Sequence, residues 1–242
     1  MDLKKAITQH AEMEDFFSGG FAVRGKVKVQ PHQTAETAAE NQVQTTPDLE
    51  ALAAEIHRCR KCQLGSLRKN AVPGEGNPKA RILFAGEGPG ADEDEQGRPF
   101  VGRAGQLLDK IIAAMGLKRS DVYICNVLKC RPPENRDPKP DEIINCLPYL
   151  QRQIELINPQ IIVALGAHAA RTLLNDNRAI GQLRGQFHQY LHGIGQPAIK
   201  LMATYHPAYL LRNYSQENRH RVWEDMKTVL TELGLPIPQK DK

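Results

Sequence analysis

The sequence predicts an α/β fold with a central parallel four-stranded sheet. Between residues 81 and 233, short apolar runs alternate with helical patterns. Such runs are typical of buried strands. Strands that alternate with helices indicate a parallel sheet covered on both faces. The four predicted strands are Arg81–Gly86, Val122–Leu128, Gln160–Leu165 and Ile199–Thr204.

Helices are predicted before, between and after these strands. The folded body is expected to begin near Thr46-Pro47-Asp48, where a capping residue precedes the segment LEALAAEIHRC. The other predicted helices are Ala104–Met115, Asp141–Ile157, Ala167–Leu174 and one near Glu217–Leu233. Ligands of such folds bind beyond the carboxyl ends of the strands, and the most distinctive segments of this chain begin where the strands end.

Composition divides the chain into three parts. Residues 1–47 are expected to form a flexible acidic extension that ends in a linker rich in Gln, Thr, Ala and Glu. This linker has too few large apolar side chains to offset the entropy lost on ordering. Residues 48–236 are expected to form the folded domain, and residues 237–242 a disordered tail.

The extension contains one short segment with two interpretations. Residues 2–17 predict a short helix that ends in two phenylalanines. The spacing of His10, Met13, Phe16 and Phe17 weakly resembles that of sliding-clamp peptides, which usually begin with Gln. A frayed amphipathic helix and a weak clamp contact through residues 10–17 therefore both stay open.

Charge and hydropathy restrict the class of protein. The net charge of +4 combines −3 on residues 1–50 with +7 on the rest of the chain. A basic body suits a polyanionic partner, although an ordinary basic cytosolic protein has the same balance. The chain lacks an apolar run of about eighteen residues and an apolar signal core, which predicts no membrane span and a cytoplasmic location.

Cysteine spacing indicates a metal centre. An odd number of cysteines without a secretory signal argues against a disulfide framework. Cys59 and Cys62 form a C-x2-C pair, and with the distant Cys130 and Cys146 they can close a four-thiolate cage. Both zinc and an iron–sulfur cluster accept four thiolates, so the spacing leaves the metal open. Cys125 is interpreted as a small buried residue of a strand.

A glycine-rich loop follows the first predicted strand, in the segment GEGPGADEDEQGRPFVGRAGQLLD. Its three glycines allow a tight turn and a close approach of a ligand to the backbone. A dinucleotide-binding loop is the alternative, but Ala91 stands where the G-x-G-x-x-G motif has its third glycine. The acidic run that follows is interpreted mainly as a solvated turn, and Phe100 as a single exposed aromatic residue.

Two other strand ends carry polar side chains. Asn126 stands near the end of the second predicted strand and offers both a donor and an acceptor to a base edge. Tyr205-His206-Pro207 follows the fourth strand and places an imidazole at the same mouth of the sheet. Alone, Asn126 is more often a satisfied turn residue, and His206 a structural or solvated histidine. Their combination is what indicates a site.

These segments together resemble one known family. GEGPGADEDEQGRPFVGRAGQLLD, CNVLKCRPPENR, HPAYLLRN and the four spaced cysteines are similar to those of the family 4, iron–sulfur-containing uracil-DNA glycosylases. The resemblance runs from about Leu52 to Leu233. It implies a three-layer α/β/α sandwich, a [4Fe–4S] cluster on the four cysteines, and hydrolytic removal of uracil from single- and double-stranded DNA by a monomeric repair enzyme.

The resemblance also implies roles for the residues that would meet the uracil. The base must leave the stack to be reached, and Phe100 would stack on the extruded ring. Asn126 would read the uracil edge, and Glu93 would lie against ring carbon 5 and exclude the methyl group of thymine. Gly88 and Glu87 would line the water side of the sugar, with Glu87 orienting the attacking water.

Further residues receive catalytic or DNA-binding roles by the same resemblance. His206 would hydrogen-bond a uracil carbonyl and stabilise the charge that develops on it. Asn135 is a second residue expected to assist the water. Residues 208–213 resemble a loop that enters the duplex, although an exposed loop with an accidental apolar pair is the alternative. The expected DNA contacts are Leu210, Leu211, Arg212 and Arg131.

Two other functions are weighed against this one. A related iron–sulfur branch traps uracil-DNA covalently through an added histidine, but the corresponding stretch CRPPENRDPKP contains none. A nucleotide-binding oxidoreductase would need an acidic ribose ligand about twenty residues after GEGPG, at the end of a strand. Asp109 stands near that distance but within a predicted helix, which argues against this reading.

Overall fold

The computed structural model describes residues 47–191 and 197–238. Over these residues the strands form one six-stranded sheet in the order β1-β3-β2-β4-β6-β5. The strands are β1 (Glu75–Gly76), β2 (Ile82–Gly86), β3 (Tyr123–Asn126), β4 (Ile161–Leu165), β5 (Phe187–Tyr190) and β6 (Ile199–Thr204). The inner strands β3, β2, β4 and β6 are parallel, and β1 and β5 pair antiparallel at the two edges.

Helices connect the strands and flank the sheet. The helices are α1 (Pro47–Arg58), α2 (Leu64–Leu67), α3 (Ala91–Gln96), α4 (Arg103–Ala114), α5 (Pro140–Ile157), α6 (Ala167–Leu174), α7 (Ile180–Leu183), α8 (Pro207–Arg212) and α9 (Gln216–Glu232). Short 3-10 turns lie at Arg119–Asp121 and Pro133–Asn135. Part of α9 is fixed to the sheet by Asp225, whose carboxylate accepts a hydrogen bond from Thr204 Oγ1 at 2.6 Å.

The two faces of the sheet carry separate apolar cores. In β2, Ile82 and Phe84 belong to one core, while Leu83 and Ala85 belong to the other. This alternation follows from the two-residue side-chain period of a strand. Helices α4 and α9 cover the first face, and α5, α6 and α7 cover the second. The predicted three-layer α/β/α sandwich is therefore confirmed.

A third, smaller core lies beside the sheet. It joins Leu52 and Ile56 of α1 to Leu64 of α2 and to Tyr149 of α5. The buried side chains of Cys130 and Cys146 belong to it, and Cys59 and Cys62 pack against it. Helix α1 is attached to the domain through this core, through Leu49 in the second sheet core, and through the ion pair of Glu55 with Arg152.

The four predicted strands are confirmed as the parallel part of the sheet, with ends that differ by two residues or fewer. The long helices predicted between and after the strands are confirmed to within one residue at each end, and the first helix begins two residues before the predicted segment. The edge strands β1 and β5 were not predicted. β1 has only two residues, and β5 has the sequence FHQY with a mostly half-buried pattern. Neither forms an apolar run, because an edge strand has a neighbour on one side only.

Two segments predicted as a turn and a loop are short helices. The acidic run forms α3, in which Asp92 and Glu95 are exposed but Asp94 is buried and accepts a hydrogen bond from the backbone N–H of Lys69 at 3.0 Å. The segment after His206 forms α8, and its residue Leu210 is only 1% exposed within the first core. The wedge role predicted for Leu210 is therefore wrong, since its side chain already packs against the domain.

Some predictions concern residues outside the described ranges. The acidic extension, including the clamp-like residues 10–17, lies before Pro47, and most of the predicted tail lies after residue 238. Among the residues that the structure describes, no helix is both long enough and apolar enough to cross a membrane.

We expect Gly105→Ala to destabilise the domain. Gly105 lies in α4, and a Cβ added there would stand 1.9 Å from the carbonyl oxygen of Phe100, so either the helix or Phe100 must move. The expected loss is about 1–3 kcal/mol in the free energy of unfolding. Denaturant unfolding followed by the fluorescence of the buried Trp223 measures it.

Gly181→Ala is the matched control. Gly181 also lies in a helix, α7, but an added Cβ would meet nothing within 4 Å beyond its chain neighbours and the backbone of its own helix. Its replacement is expected to leave the stability unchanged or to raise it by up to about 1 kcal/mol. Equal effects of the two substitutions would contradict the close approach of α4 to Phe100.

Candidate active site and cysteine cluster

A cavity of about 500 Å³ opens at the carboxyl ends of the parallel strands. Its walls are formed by the segments that follow β2, β3, β4 and β6, together with α3 and the start of α4. The strands bring these segments together because the carboxyl ends of parallel neighbours meet at one edge of the sheet. The predicted site residues that line the cavity are Glu87, Gly88, Glu93, Phe100, Asn126, Asn135, His206 and Arg212.

Asn126 presents an unsatisfied acceptor to this cavity. The residue is the last of β3, pairs with Gly86 of β2, and is only 1% exposed. Within the described residues, its buried Oδ1 atom has no hydrogen-bond partner. An unpaired buried acceptor costs about 1–3 kcal/mol, so the atom is suited to a ligand that supplies an N–H donor.

The ring of Phe100 lies close to this amide. A Cβ on Gly86 would stand 2.4 Å from Oδ1 of Asn126 and 2.5 Å from the Cζ atom of Phe100, so the missing side chain allows both groups to converge. Phe100 itself has a left-handed backbone with φ of 50°. Arg119 supports this strained conformation, because its guanidinium donates hydrogen bonds to the carbonyls of Pro99 and Phe100.

Glu93 is held rigidly at the cavity wall. One carboxylate oxygen accepts hydrogen bonds from the backbone N–H groups of Val101 and Gly102, at 2.9 and 3.0 Å. The other accepts from the N–H of Gly90 at 3.0 Å. Three charge-assisted hydrogen bonds fix the side chain, so it forms a wall of constant shape.

His206 has a defined tautomer. Its Nδ1 atom accepts a hydrogen bond from the backbone N–H of Ala208 at 3.1 Å, so the proton of the neutral ring lies on Nε2. Burial lowers the pKa of His206 to about 4, and the positive charge of Arg212 acts in the same direction. The imidazole is therefore neutral near pH 7. Its ring centroid lies 5.6 Å from that of Phe100.

Glu87 lies next to two groups that sequence reasoning missed. The Nε2 atom of His168 is 4.0 Å from Oε2 of Glu87 and 3.5 Å from Oδ1 of Asp137. Burial raises the pKa of Glu87; the nearby His168 lowers it, and the carboxylate of Asp137 raises it. A signal for His168 was present, since it follows the end of β4 as His206 follows the end of β6.

The remaining predicted residues lie at the rim or outside it. Asn135 is exposed, has a left-handed φ of 55°, and accepts a hydrogen bond from Nε of Arg131 at 2.8 Å. Arg131 does not line the cavity. Arg212 is an exposed cation of the lining, and the neighbouring Leu211 is half-buried.

The four predicted cysteines converge on one site. Cys59, Cys62, Cys130 and Cys146 line the same small cavity between α1, α2 and α5. Arg68 donates a hydrogen bond to the sulfur of Cys130 at 3.0 Å, and the backbone N–H of Lys129 donates to the sulfur of Cys146 at 3.1 Å. Burial raises the pKa of Cys146 to about 12, so its side chain is a neutral thiol near pH 7. Cys125 is buried in β3, away from this site, as expected.

Lys129 connects the cysteine cluster to the larger cavity. Its amino group is buried and donates hydrogen bonds to the carbonyl oxygen of Asn126 at 2.7 Å and to Oε1 of Gln153 at 2.6 Å. The next two backbone N–H groups after Asn126, those of Val127 and Leu128, bond to the carbonyls of Gly86 and Glu87. The cysteine site and the larger cavity are thus connected by the hydrogen bonds of a few shared residues.

Comparison with known proteins points to one family. The model described as "Uracil DNA glycosylase superfamily" matches residues 73–227. A protein of Saccharolobus solfataricus named type-4 uracil-DNA glycosylase is 49% identical over 77% of this chain and 87% of its own length. Proteins of the same name from Thermotoga maritima and Archaeoglobus fulgidus are 48% and 46% identical, over 74% and 75% of this chain and 91% of each relative.

The residues matched by the family model include the parallel strands β2, β3, β4 and β6, whose carboxyl ends form the cavity. Nearly half of the aligned residues are identical to those of these relatives, over about three quarters of this chain. The chain belongs to the uracil DNA glycosylase superfamily and, within it, to the type-4 family.

Proposed function

We propose that this protein is a uracil-DNA glycosylase that hydrolyses the N-glycosidic bond of uracil flipped out of DNA and leaves an abasic site. The unpaired Oδ1 atom of Asn126, buried beside the ring of Phe100, carries this proposal, and the neutral His206 lines the same cavity. A cavity of about 500 Å³ is large enough for an extruded nucleotide.

Uracil matches the hydrogen-bonding groups of the cavity. Its N3–H donates to Oδ1 of Asn126, and its O4 accepts from the Nδ2 group of the same amide. Cytosine presents an acceptor at N3 and a donor at position 4, so it would leave both amide groups unpaired. Stacking on Phe100 contributes about 1–3 kcal/mol for any base. The fixed carboxylate of Glu93 lies at the wall where the methyl group of thymine would enter.

His206 stabilises the leaving group. As the bond between C1′ and N1 breaks, its electron pair moves onto the uracil ring and negative charge grows on O2. The Nε2–H of His206 donates a hydrogen bond to this oxygen, and a neutral imidazole is sufficient for that role. Glu87, on the sugar side of the cavity, accepts a proton from the water that attacks C1′, with Asn135 nearby.

DNA is bound at the rim of the cavity. Arg212 and Leu211 lie at the end of α8, on the segment that would approach the flipped nucleotide, and Arg131 lies beside Asn135. The basic body of the chain supplies the remaining phosphate attraction. We propose that residues 48–236 act as a monomer, in the cytoplasm, on both single- and double-stranded DNA.

The four cysteines hold a [4Fe–4S] cluster in this proposal. Thiolates on one tetrahedral zinc ion lie roughly 3.8 Å apart, since each Zn–S bond is about 2.3 Å long. Among the described residues, the sulfur atoms do not form such a compact group of three within 4.8 Å. Cys59, Cys62, Cys130 and Cys146 would hold the cluster, which would tie α1 to the Asn126–Cys130 segment.

A single-turnover assay on a uracil-containing oligonucleotide, followed by alkali, tests the proposed reaction. We expect free uracil and an alkali-sensitive strand from the natural protein. Asn126→Asp should lower the rate at least tenfold, because a carboxylate cannot donate to O4 and repels it. Asn158→Asp, at the exposed end of α5, is the control and should leave the rate unchanged.

A stable protein–DNA complex without free uracil would instead indicate a binding or trapping protein. Unchanged excision by Asn126→Asp would remove Asn126 from uracil recognition.

His206→Leu is expected to slow excision by about 10²–10³-fold while leaving DNA binding nearly unchanged. The hydrogen bond that it removes is strongest when charge has developed on the uracil, which lowers kcat more than affinity. Because the pKa of His206 is about 4, its neutral form persists through pH 5–9. Single-turnover rates and binding titrations separate the two effects, and an equal loss of rate and affinity would contradict the assigned role.

Cys130→Ser should remove iron and lower stability. Cys130 is 5% exposed at the centre of the cysteine site, so its loss breaks the link between α1 and the body. Iron and sulfide content and visible absorption, measured on anaerobically purified protein, report the cluster. Cys125→Ala, in β3, is the control and should keep the iron; full iron in Cys130→Ser would exclude Cys130 from the ligands.

A further inference from the structure

Three side chains that can exchange protons meet at one side of the cavity. Glu87 follows β2, Asp137 lies in the loop after β3, and His168 lies in the first turn of α6 after β4. One ligand-type atom of each lies within 4.8 Å of those of the other two. The Nε2 atom of His168 faces both carboxylates, at 3.5 Å from Asp137 and 4.0 Å from Glu87.

The carboxylates of Glu87 and Asp137 both lie beside the imidazole of His168. Two carboxylates this close disfavour each other's ionised form, whereas an imidazole between them favours it. The pKa of Glu87 responds to its neighbours in these directions. Burial and Asp137 raise it, whereas His168 and Arg212 lower it. Asp137 and His168 therefore act on Glu87 in opposite directions.

Most of the other titratable or charged groups that line this cavity already have hydrogen-bond partners of their own. Glu93 is held by three backbone N–H groups, and the guanidinium of Arg136 forms two hydrogen bonds to Glu142. His206 uses Nδ1 to accept from Ala208. Arg212 remains as a cation that faces Glu87 from α8.

We propose that His168 and Asp137 are positioning residues for water activation, which together set the pH at which Glu87 becomes a competent base. The inference rests on the proposed glycosylase function and extends it to two residues without an assigned role. His168 keeps the carboxylate of Glu87 ionised, and Asp137 opposes it while holding the imidazole in place.

Hydrolysis of the glycosidic bond breaks one bond to C1′ and forms another. The bond between C1′ and N1 breaks and leaves its electron pair on uracil, while the oxygen of water bonds to C1′. The proton of that water moves to the carboxylate of Glu87, and the uracil anion takes a proton from solvent. His168 and Asp137 are 37% and 81% exposed, so the proton on Glu87 has a short route to bulk water.

The test is the pH profile of single-turnover excision by the full chain carrying its cluster. The rate should rise with pH as Glu87 loses its proton. In His168→Ala this rise should move to higher pH. When each rate is divided by the same protein's plateau rate, the variant's rate at acid pH should be about three- to tenfold below that of the natural protein. In Asp137→Asn the rise should move to lower pH, with a relative gain of similar size.

His220→Ala is the matched control. His220 lies on α9, and its Nε2 atom contacts a carboxylate oxygen of Glu224 at 3.4 Å, nearly the same distance as in the cavity pair. Its profile should superimpose on that of the natural protein. Both target residues are partly or largely exposed, and denaturant unfolding checks that the variants fold.

Superimposable profiles of all variants, shifts in one common direction, or a loss of rate independent of pH would each overturn the inference. A pH-independent loss would instead identify the pair as DNA contacts. Absence of excision by the natural protein at every pH is a different outcome, since it would refute the proposed glycosylase function itself.

Discussion

The buried amino group of Lys129 holds the two sites of this protein in one frame. It donates to the carbonyl of Asn126 at the cavity and to Gln153 of α5, while the backbone N–H of the same residue bonds to the sulfur of Cys146. Burying an ammonium group is costly unless it is fully hydrogen-bonded, so these partners leave the segment little freedom. The position of the Asn126 amide and the position of the cysteines are therefore set together.

The cavity keeps polar groups unpaired at some cost in stability. The unsatisfied Oδ1 of Asn126 and the strained backbone of Phe100 both raise the free energy of the folded state. Arg119, which also forms ion pairs with Glu75 and Asp109, holds the carbonyls near Phe100 and compensates part of the strain. A site that is already organised loses less entropy when an extruded base arrives.

Most of the architecture could be predicted from local patterns. The parallel strands are buried on both faces and form continuous apolar runs, and the amphipathic helices between them are equally distinct. The edge strand β5 and the short helices α3 and α8 were not predicted, because their structure depends on neighbours that are distant in sequence. The acidic run illustrates this: Asp94 is buried only because the backbone of Lys69 lies against it.

Sequence by itself determined the fold class, the cysteine set and the strand ends at which functional side chains stand, since periodicity and residue type carry that information. Only the tertiary structure decided which of these side chains face the cavity. Leu210 and Leu211 are adjacent in sequence, yet packing of α8 against α4 buries the first and leaves the second half-buried. Likewise, Glu87, Asp137 and His168 come from three separate segments, and only the parallel register of β2, β3 and β4 brings their charges within reach of one another.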